Sequence, residues 1–151
     1  MESLRDPGIA IESIRLLKAH IEIGDLQGKP EFDFRLAGME RRMTDDGKTM
    51  VLFASFDLMY GIEKPLFKFT CGFAARYKCK GEDAMPWVEF TDAMALAHIV
   101  PYLREFVSNM TNRMPVPVLI LDPVNVHALI VDYVARKQAA QAKAAAPAPP
   151  V

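Results

Sequence analysis

The chain has 151 residues, with 18 Lys and Arg against 19 Asp and Glu, and a formal net charge of −1. With 51% hydrophobic and 25% charged residues it has the makeup of a folded domain, which excludes wholesale disorder, and it lacks the basic excess of a general nucleic-acid binder. A chain of this length is expected to form one domain that buries roughly 70% of its unfolded surface. The charge is uneven. Arg136, Lys137 and Lys143 lie beyond residue 134 with no acid among them, and the remaining 15 basic and 19 acidic residues give 1–134 a net charge of −4.

Residues 1–8 mix charges, lack the apolar core of a signal peptide and are expected to be flexible. No apolar run approaches the roughly 18–20 residues that span a bilayer, so a cytoplasmic location without membrane insertion is expected. The folded domain is expected over 9–138. Residues 9–23 are strand-like, but Ile14 and Leu16 sit on even positions and Ile21 and Ile23 on odd ones. Because a strand has period two, this slip predicts a bulge near Leu17–Ala19. Residues 31–39 alternate, with Phe32, Phe34 and Leu36 opposite Glu31, Asp33 and Arg35, the mark of a half-buried antiparallel strand.

Thr44-Asp45-Asp46-Gly47 reads as a turn, with Gly47 free to take positive φ. In 48–60, Met50, Leu52, Phe56, Leu58 and Tyr60 share one face while Val51, Phe53 and Met59 occupy the other, so both faces need cover. After a turn bracketed by Gly61 and Pro65, a fourth strand over 65–79 sets Phe67, Phe69, Cys71, Phe73 and Tyr77 opposite Lys68, Thr70, Arg76 and Lys78. One antiparallel sheet in meander order is expected.

The period then changes. Thr91-Asp92 predicts the cap of a short helix ending near His98, and Pro101 the first turn of a new one carrying Leu103, Phe106, Val107, Met110 and Met114. Pro115 and Pro117 stop that helix. Val118–Leu121 is extended, and Asp122-Pro123 predicts the start of a last helix with Val126, Leu129, Ile130, Tyr133 and Val134 on its apolar side. Residues 139–151 read as an Ala/Pro-rich disordered tail, of which 143–151 are expected to be dispensable for folding. Strands followed by helices define an α+β class: a four-stranded antiparallel sheet with two main C-terminal helices.

Chemistry-bearing clusters are sparse. His20, His98 and His127 have no metal-ligand spacing. Cys71 and Cys79 lie roughly 26 Å apart along one strand and cannot pair. Asp45-Asp46 reads as a solvated turn. Without a GxSxG, P-loop or GxGxxG motif, no enzyme activity, cofactor or metal is expected. What stands out is apolar surface: a sheet apolar on both faces along 48–60 has two main helices to cover it, so either copies associate, or apolar grooves stay open to partners, or both.

Residues 101–133 read Pro101-Tyr102-Leu103-Arg104-Glu105, then Met110 and Arg113, then Pro117, Leu119 and Leu121, then Pro123-Val124-Asn125, Ala128-Leu129 and Tyr133. This run resembles the SecB family of bacterial export chaperones, whose C-terminal half carries P-Y-x-R-E, an Arg closing the helix, and P-V-N before the last helix. With the four strands before it, the resemblance covers about residues 9–138. It implies a dimer of dimers that holds unfolded clients in apolar grooves without ATP, the clients being preproteins or, as in some SecB-like proteins, an aggregation-prone antitoxin. Pro101, Tyr102, Arg104, Glu105, Arg113, Pro123, Val124 and Asn125 are assigned to fold and assembly. The resemblance also implies docking on the SecA motor through acids, but His20 and Gly24 occupy the corresponding first-strand positions and Phe69 a further one, which weakens that partnership.

The expected groove lies between the sheet and the last helix, with Phe34, Phe53, Phe56, Phe67, Phe69, Ile130 and Tyr133 as candidates for client contact. Phe53 and Phe56 lie on opposite sides of their strand, so at most one lines a given groove. A binder of small hydrophobic ligands or lipids using the same groove is the alternative reading. The two-faced sheet and the stripe Leu103, Phe106, Met110 predict a homo-oligomer, a tetramer by the resemblance. Sedimentation at micromolar concentration checks this: a stable species of 16.9 kDa, the mass of one chain, contradicts it.

Overall fold

The computed structural model describes residues 6–24, 32–60 and 67–149; the Gly61–Pro65 turn lies outside them. The elements run β1 (Ile9–Ile23), β2 (Phe32–Met43), β3 (Thr49–Tyr60), β4 (Phe67–Cys79), α1 (Asp92–Thr111) and α2 (Val126–Ala145). The four strands form one antiparallel sheet, as expected, but in the order β1-β4-β3-β2. The meander holds only for β2–β4; β1 crosses over to lie beside β4, a Greek-key arrangement. The reason lies in β4. All of its odd positions from Phe67 to Tyr77 are buried, and a strand of that length and apolarity left outermost would be a template for aggregation. Placed centrally, it has both ladders satisfied.

One face of the sheet carries the core. Met50, Leu52, Ala54, Phe56 and Leu58 on β3 sit opposite Tyr77, Ala75, Phe73, Cys71 and Phe69 on β4, and all are buried. The expected bulge in β1 is present: the register slips between Leu16 and Lys18, and a second slip falls between Ile11 and Ser13. β2 slips once, between Leu36 and Gly38. At the tight turn between β2 and β3, Gly47 takes φ +68°, and the Thr44 amide and hydroxyl close the loop on Thr49.

Helix α1 packs on the buried face. Its cap is Thr91, whose hydroxyl accepts from the Met94 amide at 3.2 Å. The division into two helices at Pro101 is corrected: α1 runs unbroken through it. Pro101 lies on the solvent side, so the Ala97 carbonyl that loses its donor there remains open to water, while the buried stripe Leu96, Ile99, Leu103 and Val107 continues on the other side. The start of α2 is corrected as well. Asn125, not Asp122, is its cap, accepting from the Ala128 amide at 3.0 Å, because Pro123 holds its predecessor extended. The helix also continues past residue 138 to Ala145. Alanine is the best helix former, so an Ala-rich stretch prolongs a helix already nucleated by packing.

The N-terminal segment is likewise not loose from Asp6 onward. The Asp6 carboxylate accepts from the Gly8 amide and pairs with Lys80 at 3.1 Å, which holds it below the usual carboxylate range. Gly8, at φ +67°, lies so close to Ala84 that a Cβ would come within 2.8 Å of its Cα.

Arg41 of β2 ties the sheet to the segment before α1. It donates to the carbonyls of Trp87 at 2.8 Å and Phe90 at 2.6 Å and pairs with Asp92 in the first helical turn. Trp87 in turn donates to the Gly47 carbonyl at 2.7 Å. Replacing Arg41 with Met strands two carbonyls and is expected to lower stability by about 2 kcal/mol and shift the emission of Trp87, the single tryptophan. Arg42→Met, which removes an exposed pair with Glu40, should leave both nearly unchanged. Denaturant titration followed by fluorescence checks the contrast.

Candidate functional site

Where α2 meets β2, cover of the apolar face is incomplete. Arg136 donates to the Leu36 carbonyl and pairs with Asp132 one turn earlier at 2.9 Å. This fixes the register of α2 over β2 and places Tyr133, on the same side of the helix, along that strand. Leu129 is the one α2 residue that is buried. Ile130 and Tyr133 pack against the core only in part, as do Phe34 and Met39 from β2. Phe34 stacks flat on buried Phe56, the centroids 5.7 Å apart and the planes at 9°. Tyr133 also carries the Lys137 ammonium over its ring at 5.9 Å.

The ribbon 112–125 connects the two helices. It joins no sheet. Two side chains of α1 hold it. Arg104 donates to the Leu121 carbonyl at 3.1 Å. Thr111, almost fully buried, donates back to the Val107 carbonyl and accepts from the Leu119 amide at 2.9 Å. The ribbon alternates accordingly. Leu119 and Leu121 turn inward, while Val118 is 49% and Ile120 74% exposed. The result is a margin of half-covered Phe, Ile, Tyr and Met between α2 and β2, and a ribbon, fastened to α1, whose outer side chains are aliphatic.

The candidate residues divide by position. Phe34, Ile130 and Tyr133 lie on this margin. Phe56, Phe67 and Phe69 are covered within the chain; Phe69 sits under α1 against Phe106, with centroids 5.4 Å apart. Phe53 lies on the opposite face, beneath the Arg42 guanidinium at 5.1 Å. Burial pushes the Cys71 thiol up to about 12, with the Asp57 charge adding to the effect, which leaves it protonated and inert at neutral pH.

Three of the eight motif residues bear on the frame. Arg104 holds the ribbon and Asn125 caps α2, bonding forward into its helix rather than back to the preceding loop. Val124 packs on the core. Tyr102 and Glu105 line a shallow cleft of about 220 Å³ with Ile14, Leu16 and Phe106. Pro101, Arg113 and Pro123 are exposed.

Residues 11–139 match the family described as preprotein translocase subunit SecB. The chain belongs to the SecB family. Among curated SecB relatives, the protein-export protein SecB of Histophilus somni is 30% identical over 112 residues, 74% of this chain and 66% of the relative, so the matched part spans just under two thirds of that protein. The SecB of Haemophilus ducreyi is 29% identical over 125 residues, covering 80% of this chain and 72% of its own. Among solved structures, a SecB-like chaperone from Mycobacterium tuberculosis in complex with a ChAD peptide from the HigA1 antitoxin shares the fold, with a TM-score of 0.60 at 19% identity over 78% of this chain and 91% of that one. The α+β sheet with two helices is therefore the SecB fold.

Sequence reasoning missed Thr111 and Arg136. Both act on backbone groups distant in sequence, and neither stands in a motif; the one local sign is a threonine closing an apolar helix just before a proline-rich ribbon. Thr111→Val keeps the shape but leaves the Leu119 amide without its acceptor. A loss of about 1–2 kcal/mol is expected, with faster hydrogen exchange at Leu119 and little change on β4. Residue-resolved exchange measures both.

Proposed function

We propose that this SecB-family chain is an ATP-independent holdase whose client segments lie on the margin between β2, α2 and the ribbon 112–125. One observation carries the reading. Phe34 on β2 and Ile130 and Tyr133 on α2, apolar side chains that a closed core would cover, remain partly open where the two elements meet, and Val118 and Ile120 are exposed on the ribbon. Aromatic, aliphatic and Met surfaces accept many sequences. Shallow contacts worth about 1.5–3 kcal/mol each when fully buried suffice for micromolar holding once ordering costs are met. Among the described residues the half-covered side chains form no enclosed cavity, which suits an extended polypeptide better than a small ligand, whose sites enclose most of its surface.

The clients are unfolded polypeptides, either preproteins bound for export, in keeping with the relatives' names, or an antitoxin, in keeping with the peptide held by the mycobacterial chaperone. The holdase works as a homotetramer in the cytoplasm; among the described residues no helix is long and apolar enough to cross a membrane. Docking on SecA is proposed to be weak. His20 pairs with Glu22 at 3.1 Å, and Phe69 faces inward, leaving its outer-face neighbours Lys68 and Thr70, neither of them acidic.

Phe34→Ser, Ile130→Ser and Tyr133→Ser are each expected to weaken suppression of aggregation of an unfolded substrate severalfold, while the denaturant midpoint and the oligomer are nearly retained. Phe56→Ser, a core change, is expected to cost several kcal/mol. If the three margin variants hold clients as well as the parent, or if each loses its fold together with its activity, the groove is misplaced.

A further inference from the structure

The face of the sheet turned away from the helices has a groove of its own. Lys18, Gly72, Ser55 and Gly38 are register partners across all four strands, so a row of three small residues crosses β4, β3 and β2 at right angles to the strands and ends at Lys18 on β1. Both outermost strands bulge at this row, at Leu17 in β1 and Ala37 in β2. The Phe53 ring stands beside it and separates two clefts, one of about 310 Å³ over Gly72, Ser55 and Gly38, the other of about 530 Å³ over Val51, Ala74 and Arg76. Leu17, 58% exposed, lies at the β1 end.

The charges around this groove do not balance. Among the described residues each acid on the face has a partner there: Glu12 has Arg76, Glu22 has His20, Asp33 has Arg35, Glu40 has Arg42, and Asp57 has the Thr70 hydroxyl. Arg15 and Lys18, which line the two clefts at their β1 ends, have no ion-pair or hydrogen-bond partner among the described residues. The clefts are also lined by Glu12, Arg76 and Glu40, whose charges are met by ion pairs, so Arg15 and Lys18 are the unmatched cations beside a partly aromatic trough, on a chain whose first 134 residues are net acidic.

We infer that this transverse groove on the outer sheet face docks an acidic amphipathic segment of a partner protein. Its apolar side would lie along Gly72, Ser55 and Phe53, and its carboxylates would meet Arg15 and Lys18. Complementary charge supplies the recognition and the approach rate, and the small-residue floor lets the partner's backbone come close. The groove is open along its length, which disfavours a lone fatty acid, since a small ligand needs most of its surface enclosed. The site lies on the opposite face from the proposed client margin, so either assignment can fail without the other.

The test uses the full chain and a fluorescein-labelled amphipathic peptide of Leu and Glu, about four helical turns long, beside a twin with every Glu changed to Lys. Fluorescence anisotropy at low salt is expected to show the acidic peptide binding at least about tenfold tighter than its twin, with the preference fading as salt screens the charges. Arg15→Glu with Lys18→Glu should reverse the preference. Gly72→Leu should fill the floor and weaken binding about tenfold; a Cβ at Gly72 meets nothing closer than 3.9 Å, so the variant is expected to fold, and circular dichroism checks this. Gly38 is unsuitable, because its Cβ would fall 2.7 Å from the Ser55 hydroxyl. Neither change should alter suppression of client aggregation. Equal affinity for the two peptides, no acidic binding at millimolar peptide, or acidic binding unchanged in the charge-reversed double variant overturns the inference. So does binding to vesicles of anionic lipid without binding to the peptide.

Discussion

A sheet has two faces, and this chain has helix enough for one. Everything else follows from that shortage. The face chosen is the one on which β3 and β4 alternate most strictly, and α1 spends its buried stripe there. Tyr77 shows how far the burial goes. Its ring is covered, its hydroxyl donates to the Ala95 carbonyl at 3.0 Å, and burial pushes its phenol well above the ordinary range. By the time α2 arrives, little apolar surface is left that it can cover fully. It buries Leu129 and leaves the rest of its apolar side half in water. A half-covered margin on one face and an uncovered groove on the other are two results of the same deficit.

Much of this was legible in the sequence because the strands signal themselves locally. The alternation in 67–77, the phase slip in β1 and the turn at Gly47 each depend on neighbouring residues alone, and each appears where the sequence puts it. The motif from Pro101 to Tyr133 led to the SecB fold, and the structure shows what two of its members hold: Arg104 fastens the ribbon and Asn125 caps the last helix.

The rest was not legible, for reasons that share a cause. Strand order depends on which strand can least tolerate an unpaired side, and that is a comparison between strands rather than a property of one. Pro101 looks like a helix start to any local rule, and only the packing of residues on either side of it carries α1 through. The long finish of α2 needed a nucleus supplied by β2. Of the seven aromatic and aliphatic candidates for client contact, the sequence offers no way to rank them, since Phe34 and Phe56 occupy the same kind of position on neighbouring strands; the stacking of one ring over the other decides which is inside.

The two outermost strands are not equivalent, and the difference sets a stopping rule for growth. β2 carries Arg35, Glu40 and Arg42, is kinked at Ala37, and has the Leu36 carbonyl occupied by Arg136. A further strand would find it charged, bent and partly capped. β1 has no helix bonded to it, and presents Ile11, Leu16 and Ile23, each more than 40% exposed. Were two copies to meet at their β1 edges, the ladder would close there and leave the charged, bent β2 edges outermost, and growth by further strands would be disfavoured.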